Sequence, residues 1–326
     1  MHFIFFRKKY FFITFSILFC IIALSLFNNI FVINTLSDNP QNSKLMITSS
    51  VINYNNLDFF TNLSPTIQSS FFEKISNLTN NKEKVAYLTF DDGPTLKSTP
   101  KILDILAQEN VKASFFVIGK YVKNHPDLVK RAFDEGHFIA NHGYDHNNKT
   151  LYSSPENFIN EIKNTDIEIG TAIGIKNYSS HVFRFPNGYM SPNNKSKKKE
   201  AAKLLVDMNY TYIDWNCLNR DSERKYSNNQ LLNNLKKSSK NKGTLVILMH
   251  DTSDVNSSYN VLTDSINYLK NEGYTFENFY NFIYQTTLLS RISCDTISTQ
   301  NRKLFSTFIV TRKNPFQISF ADGIFA

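Results

Sequence analysis

His142 and His146 are spaced so that both imidazoles can project to one side of a helical turn or compact loop, a common arrangement of metal ligands. Histidines four apart on a surface are also frequent, so the pair alone leaves both readings open. Asp91-Asp92 narrows them, because adjacent carboxylates repel and are costly to bury without a cation. With Asp92 as third ligand, a His₂Asp site results, leaving an open position for water. These ligand types suit Zn²⁺ and also admit Co²⁺, Ni²⁺, Mn²⁺ or Fe²⁺. Asp91 is then left as general base toward the bound water, and His250, ending the apolar run Leu245–Met249, is the candidate general acid. The bland alternatives are a simple turn at Asp91-Asp92-Gly93-Pro94 and a structural histidine after a buried strand at position 250.

The elements around these residues alternate. Short β-rich runs at Val85–Phe90, Ala113–Ile118, His137–Ala140, Val182–Phe185, Tyr210–Trp215, Thr244–Met249 and near Tyr274 predict about seven strands. Helical spacing predicts crossovers at Ser98–Glu109, Pro126–Glu135, Pro155–Ile173, Ser196–Met208, Asn228–Lys240 and Ser257–Asn271. Repeated βα units imply an α/β fold with a parallel sheet, either barrel-like or doubly wound. In both, active sites lie beyond the C-terminal strand ends. Asp91-Asp92, His142 with His146, Arg184, Asp214-Trp215 and His250 all fall at such ends. Five ionisable strand ends on one rim are hard to explain as surface decoration. His137, inside a strand run, reads as a packed structural histidine.

The ordered set Thr89-Phe90-Asp91-Asp92-Gly93-Pro94, His142-x-x-x-His146, Arg184-x-Pro186-x-Gly188, Asp214-Trp215-Asn216 with Asp221, and Leu248-Met249-His250-Asp251 resembles the NodB-homology polysaccharide deacetylases, carbohydrate esterase family 4. The resemblance spans about residues 83–283 and implies a distorted (β/α) barrel removing N- or O-acetyl groups from polymeric sugars. It implies Asp91 as base, Asp92, His142 and His146 as metal ligands, and His250 as acid. It further implies that Arg184 pairs with Asp91 and that Asp221 stands behind His250. The backbone N–H of Asn187 would stabilise the tetrahedral oxyanion, and Leu248 would line the acetyl-methyl pocket. Three positions depart from the family pattern. Gly143 replaces a loop-bracing Ser or Thr, Asn187 replaces a frequent aromatic, and Ser222 replaces a Trp of the groove wall, where Trp215 is expected to compensate.

The chain of 326 residues, 41% hydrophobic and 14% aromatic, is too apolar to be disordered throughout, and three cysteines exclude a disulfide-stapled miniprotein. Of the net +8, +3 lies in residues 1–33 and +3 in residues 285–326, so the body carries only +2 and no nucleic-acid partner is expected. The apolar run within residues 10–33, behind Arg7-Lys8-Lys9, predicts one transmembrane signal anchor with a cytoplasmic N-terminus at residues 1–9. A cleaved signal peptide, with secretion, is the alternative. Residues 34–82 read as an extracellular spacer with at most one short helix, 83–284 as the deacetylase domain, and 285–326 as a tail of unassigned role. The expected substrate is an N-acetylated glycan polymer, peptidoglycan or chitin-like, with peptidoglycan N-acetylglucosamine foremost. An inactive glycan-binding pseudoenzyme and a related C–N hydrolase acting on a small amide are the competing functions. The lysine run Lys195–Lys199 reads first as a solvated helix start and second as a grip on an anionic polymer.

Overall fold

The computed structural model describes residues 65–252 and 258–282. Along the chain lie α1 (Pro65–Ser76), a 3₁₀ turn (Leu78–Asn80), β1 (Val85–Gly93), α2 (Thr99–Gln108), β2 (Ser114–Val117), α3 (Gly119–Asn124) and α4 (Pro126–Asp134). Then come β3 (Phe138–Asn141), α5 (Asn148–Leu151), α6 (Pro155–Ile173), β4 (Val182–Phe183), α7 (Lys195–Asp207), β5 (Thr211–Tyr212) and β6 (Cys217–Leu218). The remaining elements are α8 (Asn228–Ser239), β7 (Leu245–His250), α9 (Tyr259–Asn271) and β8 (Thr275–Glu277).

The strands form one all-parallel sheet in the order β5-β4-β3-β2-β1-β7-β6, with β8 pairing the N-terminal half of β1. Among the described residues no ladder joins β5 to β6, so the sheet is a half-barrel and not a closed one. The central strands β1 and β7 are near-continuous apolar runs, as befits strands of a parallel sheet buried on both faces. Helix ends follow local chemistry. The α6 N-cap Ser154 accepts from Asn157 N–H at 3.1 Å, Pro155 occupies the first turn, and Gly174 closes the helix in the left-handed region. A capping box between Ser227 and Gln230 starts α8. Helix α2 turns Ile102, Leu103 and Leu106 into the core, each contributing about 1.5–3 kcal/mol.

Two differences from the sequence reading bear on the site. The strand expected over Tyr210–Trp215 shortens to β5, which pairs with β4; the chain then crosses the seam, and a strand not expected from the sequence, β6, pairs with β7. Asn216 makes that crossing, its N–H donating to Val246 O at 3.1 Å while its side chain accepts Val246 N–H at 2.9 Å and donates to Thr244 O at 2.9 Å. Second, residues 65–82 fall in the expected spacer, yet Phe71, Ile75 and Leu78 are buried in the same core cluster as β1 and β7. Helix α1 packs against β5, and Thr244 N–H donates to Asn81 O at 3.0 Å. Among the described residues no helix is long and apolar enough to cross a membrane. The anchor expected at 10–33, the spacer before residue 65 and the tail at 285–326 lie outside the described residues.

Candidate active site

Parallel pairing puts every C-terminal strand end on one rim. Register sets Asp91 beside His250 across β1 and β7, and Asn141 beside Val117 across β3 and β2. Asp92 follows Asp91, His142 follows β3, Arg184 follows β4, and Asp221 follows β6. The rim expected from the strand ends is therefore assembled.

Asp92, His142 and His146 converge, with ligand atoms all within 4.8 Å of one another. The Nε2 atoms of both histidines stand 3.4 Å from Asp92 Oδ1. That spacing is what two ligands, each about 2.1 Å from one tetrahedral centre, would show: about 3.4 Å. Asp92 Oδ1 is buried and has no hydrogen-bond partner, an orphan whose cost a cation would remove. His142 Nδ1 meets Arg184 O at 2.7 Å, so Nδ1 carries the proton and Nε2 presents its lone pair to the cluster. Burial opposes charge on Asp92, but His142, His146 and His250 outweigh it and hold the carboxyl far below the ordinary carboxylate range. Burial likewise opposes protonation of His142, which the Asp91 and Asp92 carboxylates reverse, raising it. His146 is lowered, first by burial and then by the charge on His142. The pocket thus favours positive charge that two imidazoles cannot share, and the donor set fits a divalent cation. Asp92 and His146 both hold positive φ (72° and 57°), backbone strain of the kind that persists where surroundings over-determine it.

Two ion pairs flank the triad. Asp91 is buried and accepts from Arg184 Nη1 at 2.8 Å. Arg184 is itself fully buried, and its remaining N–H groups reach Thr89 Oγ1 (2.7 Å), Ile213 O (3.1 Å) and Asp214 O (3.4 Å), while its guanidinium lies 4.0 Å from the Phe116 ring centre. On the other flank, His250 Nδ1 meets Asp221 Oδ1 at 2.6 Å, and His250 N–H donates to Asp221 Oδ2 at 2.8 Å. Ser258 Oγ also donates to that oxygen. Burial, the largest single influence, pulls the His250 imidazole down, but the Asp221 hydrogen bond and charge, with the Asp91 and Asp92 carboxylates, together outweigh it and raise it to about 9.

Asn187 occupies the third position of a turn closed by Gly188 N–H to Phe185 O at 2.7 Å, with Pro186 before it and φ +63°. This is type II geometry, which places a left-handed residue after proline. Among the described residues its own N–H has no acceptor. Gly188 has φ +77°, and a Cβ there would lie 2.8 Å from the Trp215 indole, so only glycine fits. Leu248 is buried on β7 opposite Thr89, and Ser222 is exposed beside Asp221.

The braces of the ligand loop are residues the sequence reading did not single out. Asn141 Oδ1 accepts Gly143 N–H at 3.0 Å, and Glu161 Oε2 accepts Tyr144 N–H at 2.6 Å and Asp145 N–H at 3.2 Å. Asn141 is held in turn by Asp166 at 2.9 Å, a carboxyl that burial pushes up to about 7. These bonds do the work of the hydroxyl missing at position 143. Asp214 was visible only as part of a motif; it accepts Tyr189 and Met190 N–H at 2.8 and 2.9 Å. His137 lies at the N-terminal end of β3, accepting Ala113 N–H at 3.0 Å, away from the rim. In the lysine run, Lys197 donates to Tyr152 O at 3.0 Å and the buried Lys198 to Gly188 O, so two of its ammonium groups serve the fold.

A polysaccharide deacetylase family model matches residues 79–212. A peptidoglycan-N-acetylmuramic acid deacetylase of Bacillus subtilis is 31% identical over 208 residues, covering 64% of this chain and 74% of the relative. A peptidoglycan-N-acetylglucosamine deacetylase of Bacillus cereus is 37% identical over 207 residues, covering 62% and 71%. The chain belongs to the polysaccharide deacetylase family. Its fold agrees: a Streptococcus mutans CE4 esterase superimposes with TM-score 0.58 at 29% identity, over 69% of this chain and 94% of that one. This polysaccharide deacetylase is an enzyme of a metal-dependent family, and Asp92, His142 and His146 are the residues among those described that can hold its ion.

Proposed function

We propose that this deacetylase hydrolyses the N-acetyl groups of peptidoglycan, foremost on N-acetylglucosamine. The observation that carries the reading is the orphaned Asp92 Oδ1 between two histidine Nε2 atoms, flanked by one carboxylate-centred and one imidazole-centred ion pair. Asp92, His142 and His146 would hold a divalent ion, Zn²⁺ by ligand type. Such an ion supplies Lewis acidity, polarising a carbonyl oxygen and making water more acidic.

The chain's own groups divide the remaining work. Asp91 accepts a proton from the attacking water, with Arg184 as its fixed positive partner. As the water oxygen bonds to the acetyl carbon, the Asn187 N–H, free of other acceptors, donates to the developing oxyanion. His250, its Nδ1 committed to Asp221, delivers the Nε2 proton to the leaving nitrogen as the C–N bond breaks. The products are acetate and a free amino sugar. Leu248 lines the methyl pocket and Trp215 one wall of the groove. The two relatives described above, both named for peptidoglycan, support a polymer over a small amide.

For location, the apolar run within residues 10–33 behind Arg7-Lys8-Lys9 supports a single-pass anchor with the catalytic domain outside the cell. The test of function is acetate release from purified peptidoglycan and chitooligosaccharides, followed by mass spectrometry. Chelation is expected to abolish release, and Zn²⁺ to restore it. Full activity in a protein shown free of metal would sink the reading.

A further inference from the structure

The turn that carries the Asn187 N–H leads into an exposed stretch: the Met190 side chain is 81% exposed. Asn187 and Gly188 both sit at positive φ, as the type II turn and the following glycine allow. Two oppositely charged side chains grip the peptide groups that follow. Asp214 accepts the N–H of Tyr189 at 2.8 Å and of Met190 at 2.9 Å. Lys198, only 1% exposed, donates to Gly188 O and reaches Ser191 O at 3.4 Å. The Trp215 indole lies over Gly188, close enough that a Cβ there would stand 2.8 Å from it.

We infer that Asp214 and Lys198 form a two-sided clamp on residues 188–191 that positions the Asn187 amide for the reaction. The inference rests on the oxyanion role proposed for that amide. Asp214 has a second hold on the site, since its own carbonyl lies 3.4 Å from Arg184 Nη2. One residue therefore ties the oxyanion donor to the arginine that pairs with the base. Both are positioning residues, because neither side chain bonds a proposed ligand or proton carrier. Lys198 comes from the run that reads in sequence as solvated surface; its burial against a turn carbonyl gives it a different task.

A donor used only in the transition state affects kcat more than KM, and small misplacements of such groups are expensive. In the full Zn²⁺-loaded chain assayed on N-acetylchitopentaose, Asp214→Ala and Lys198→Met should each lower kcat by about tenfold to a hundredfold, with KM within about twofold. Asp214→Asn, which keeps one acceptor oxygen, should fall between Asp214→Ala and the parent. The double variant should lose less than the product of the two single losses, since they act on one turn. Zn²⁺ affinity should stay unchanged. A merely structural role would lower the thermal midpoint and the yield of loaded protein but leave kcat per bound Zn²⁺ intact, and that result overturns the clamp.

Replacing the amide at Asn187 by an ester, through a hydroxy-acid analogue at that position, separates the two claims. If the ester slows kcat and Asp214→Ala does not, the clamp fails and the oxyanion role stands. If the ester turns over at the parent rate, the oxyanion role fails and takes the clamp with it.

Discussion

The Asp91–Arg184 and Asp221–His250 pairs stand on opposite flanks of the ligand triad and are built in opposite senses. In the first, the permanently charged partner is the arginine, fully buried, and the carboxylate is the proposed proton acceptor. In the second, the carboxylate is the buried partner and the titratable imidazole, 14% exposed, faces outward. The fixed charge decides the role: an arginine leaves its partner able only to take a proton, a carboxylate leaves its partner able to give one. Breaking each pair from the reactive side should thus have the largest effect. Asp91→Asn and His250→Ala are each expected to lower kcat by about a thousandfold or more. Metal analysis should find Asp91→Asn still loaded, since Asp92 remains. Near-parent turnover in either variant would show that its pair does not carry the proton step.

Breaking the pairs from the partner side should separate them. Arg184→Met leaves the Asp91 carboxylate buried and unpaired, and should destabilise the fold by about 3–5 kcal/mol in denaturant unfolding. Asp221→Asn instead acts on a titration. His250 stands at about 9 in the folded protein and near 6.5 in an unfolded chain. Its stabilising contribution is therefore full below about pH 6.5 and is lost as pH rises through about 9. With His250 as the proposed general acid, its protonated form is the active one, and the alkaline limb of kcat/KM should follow the same group. Without Asp221, burial, the largest single influence, is opposed only by Asp91 and Asp92, and the limb should move toward acid by at least about one pH unit. An unmoved limb would assign it to another group.

The parts of this site legible in the sequence are those that repeat or pair. The apolar runs of β1 and β7 place Asp91 and His250 at strand ends, and the Ser154, Pro155 and Gly174 signals bound α6 at the residues found. Two-residue strands carry no periodicity, so β6 at Cys217–Leu218 is invisible, as is the short α3. Asn141, Glu161 and Asp214 brace the site through contacts as far as 25 residues away with peptide groups, which leave no composition or spacing to read. Helix α1 fits the one short helix allowed in the spacer, but its place in the core is hidden for another reason. Its Asn- and Ser-rich surroundings resemble a linker, and only its seating against β5 shows why Phe71 and Ile75 are apolar.

The smallest expected effects come from the hydroxyl beside each pair. Thr89 Oγ1 takes a proton of Arg184 Nη1 at 2.7 Å while donating to Ile247 O at 2.8 Å. Thr89→Val keeps the shape but strands a buried guanidinium N–H, which should cost about 1–3 kcal/mol of stability and less than tenfold in kcat. Ser258→Ala removes one donor to Asp221 Oδ2, which keeps the His250 N–H at 2.8 Å, and also the acceptor of the buried Asn219 Nδ2 at 2.9 Å. Its stability cost should therefore be similar, about 1–3 kcal/mol, with kcat within about threefold. The two differ at the pair itself: guanidinium protons cannot be relinquished and each needs an acceptor, whereas a carboxylate oxygen with one donor left remains satisfied. A larger loss of kcat from Ser258→Ala than from Thr89→Val would mean that Asp221 depends on its hydroxyl partner more than Arg184 does, reversing the order of the two pairs.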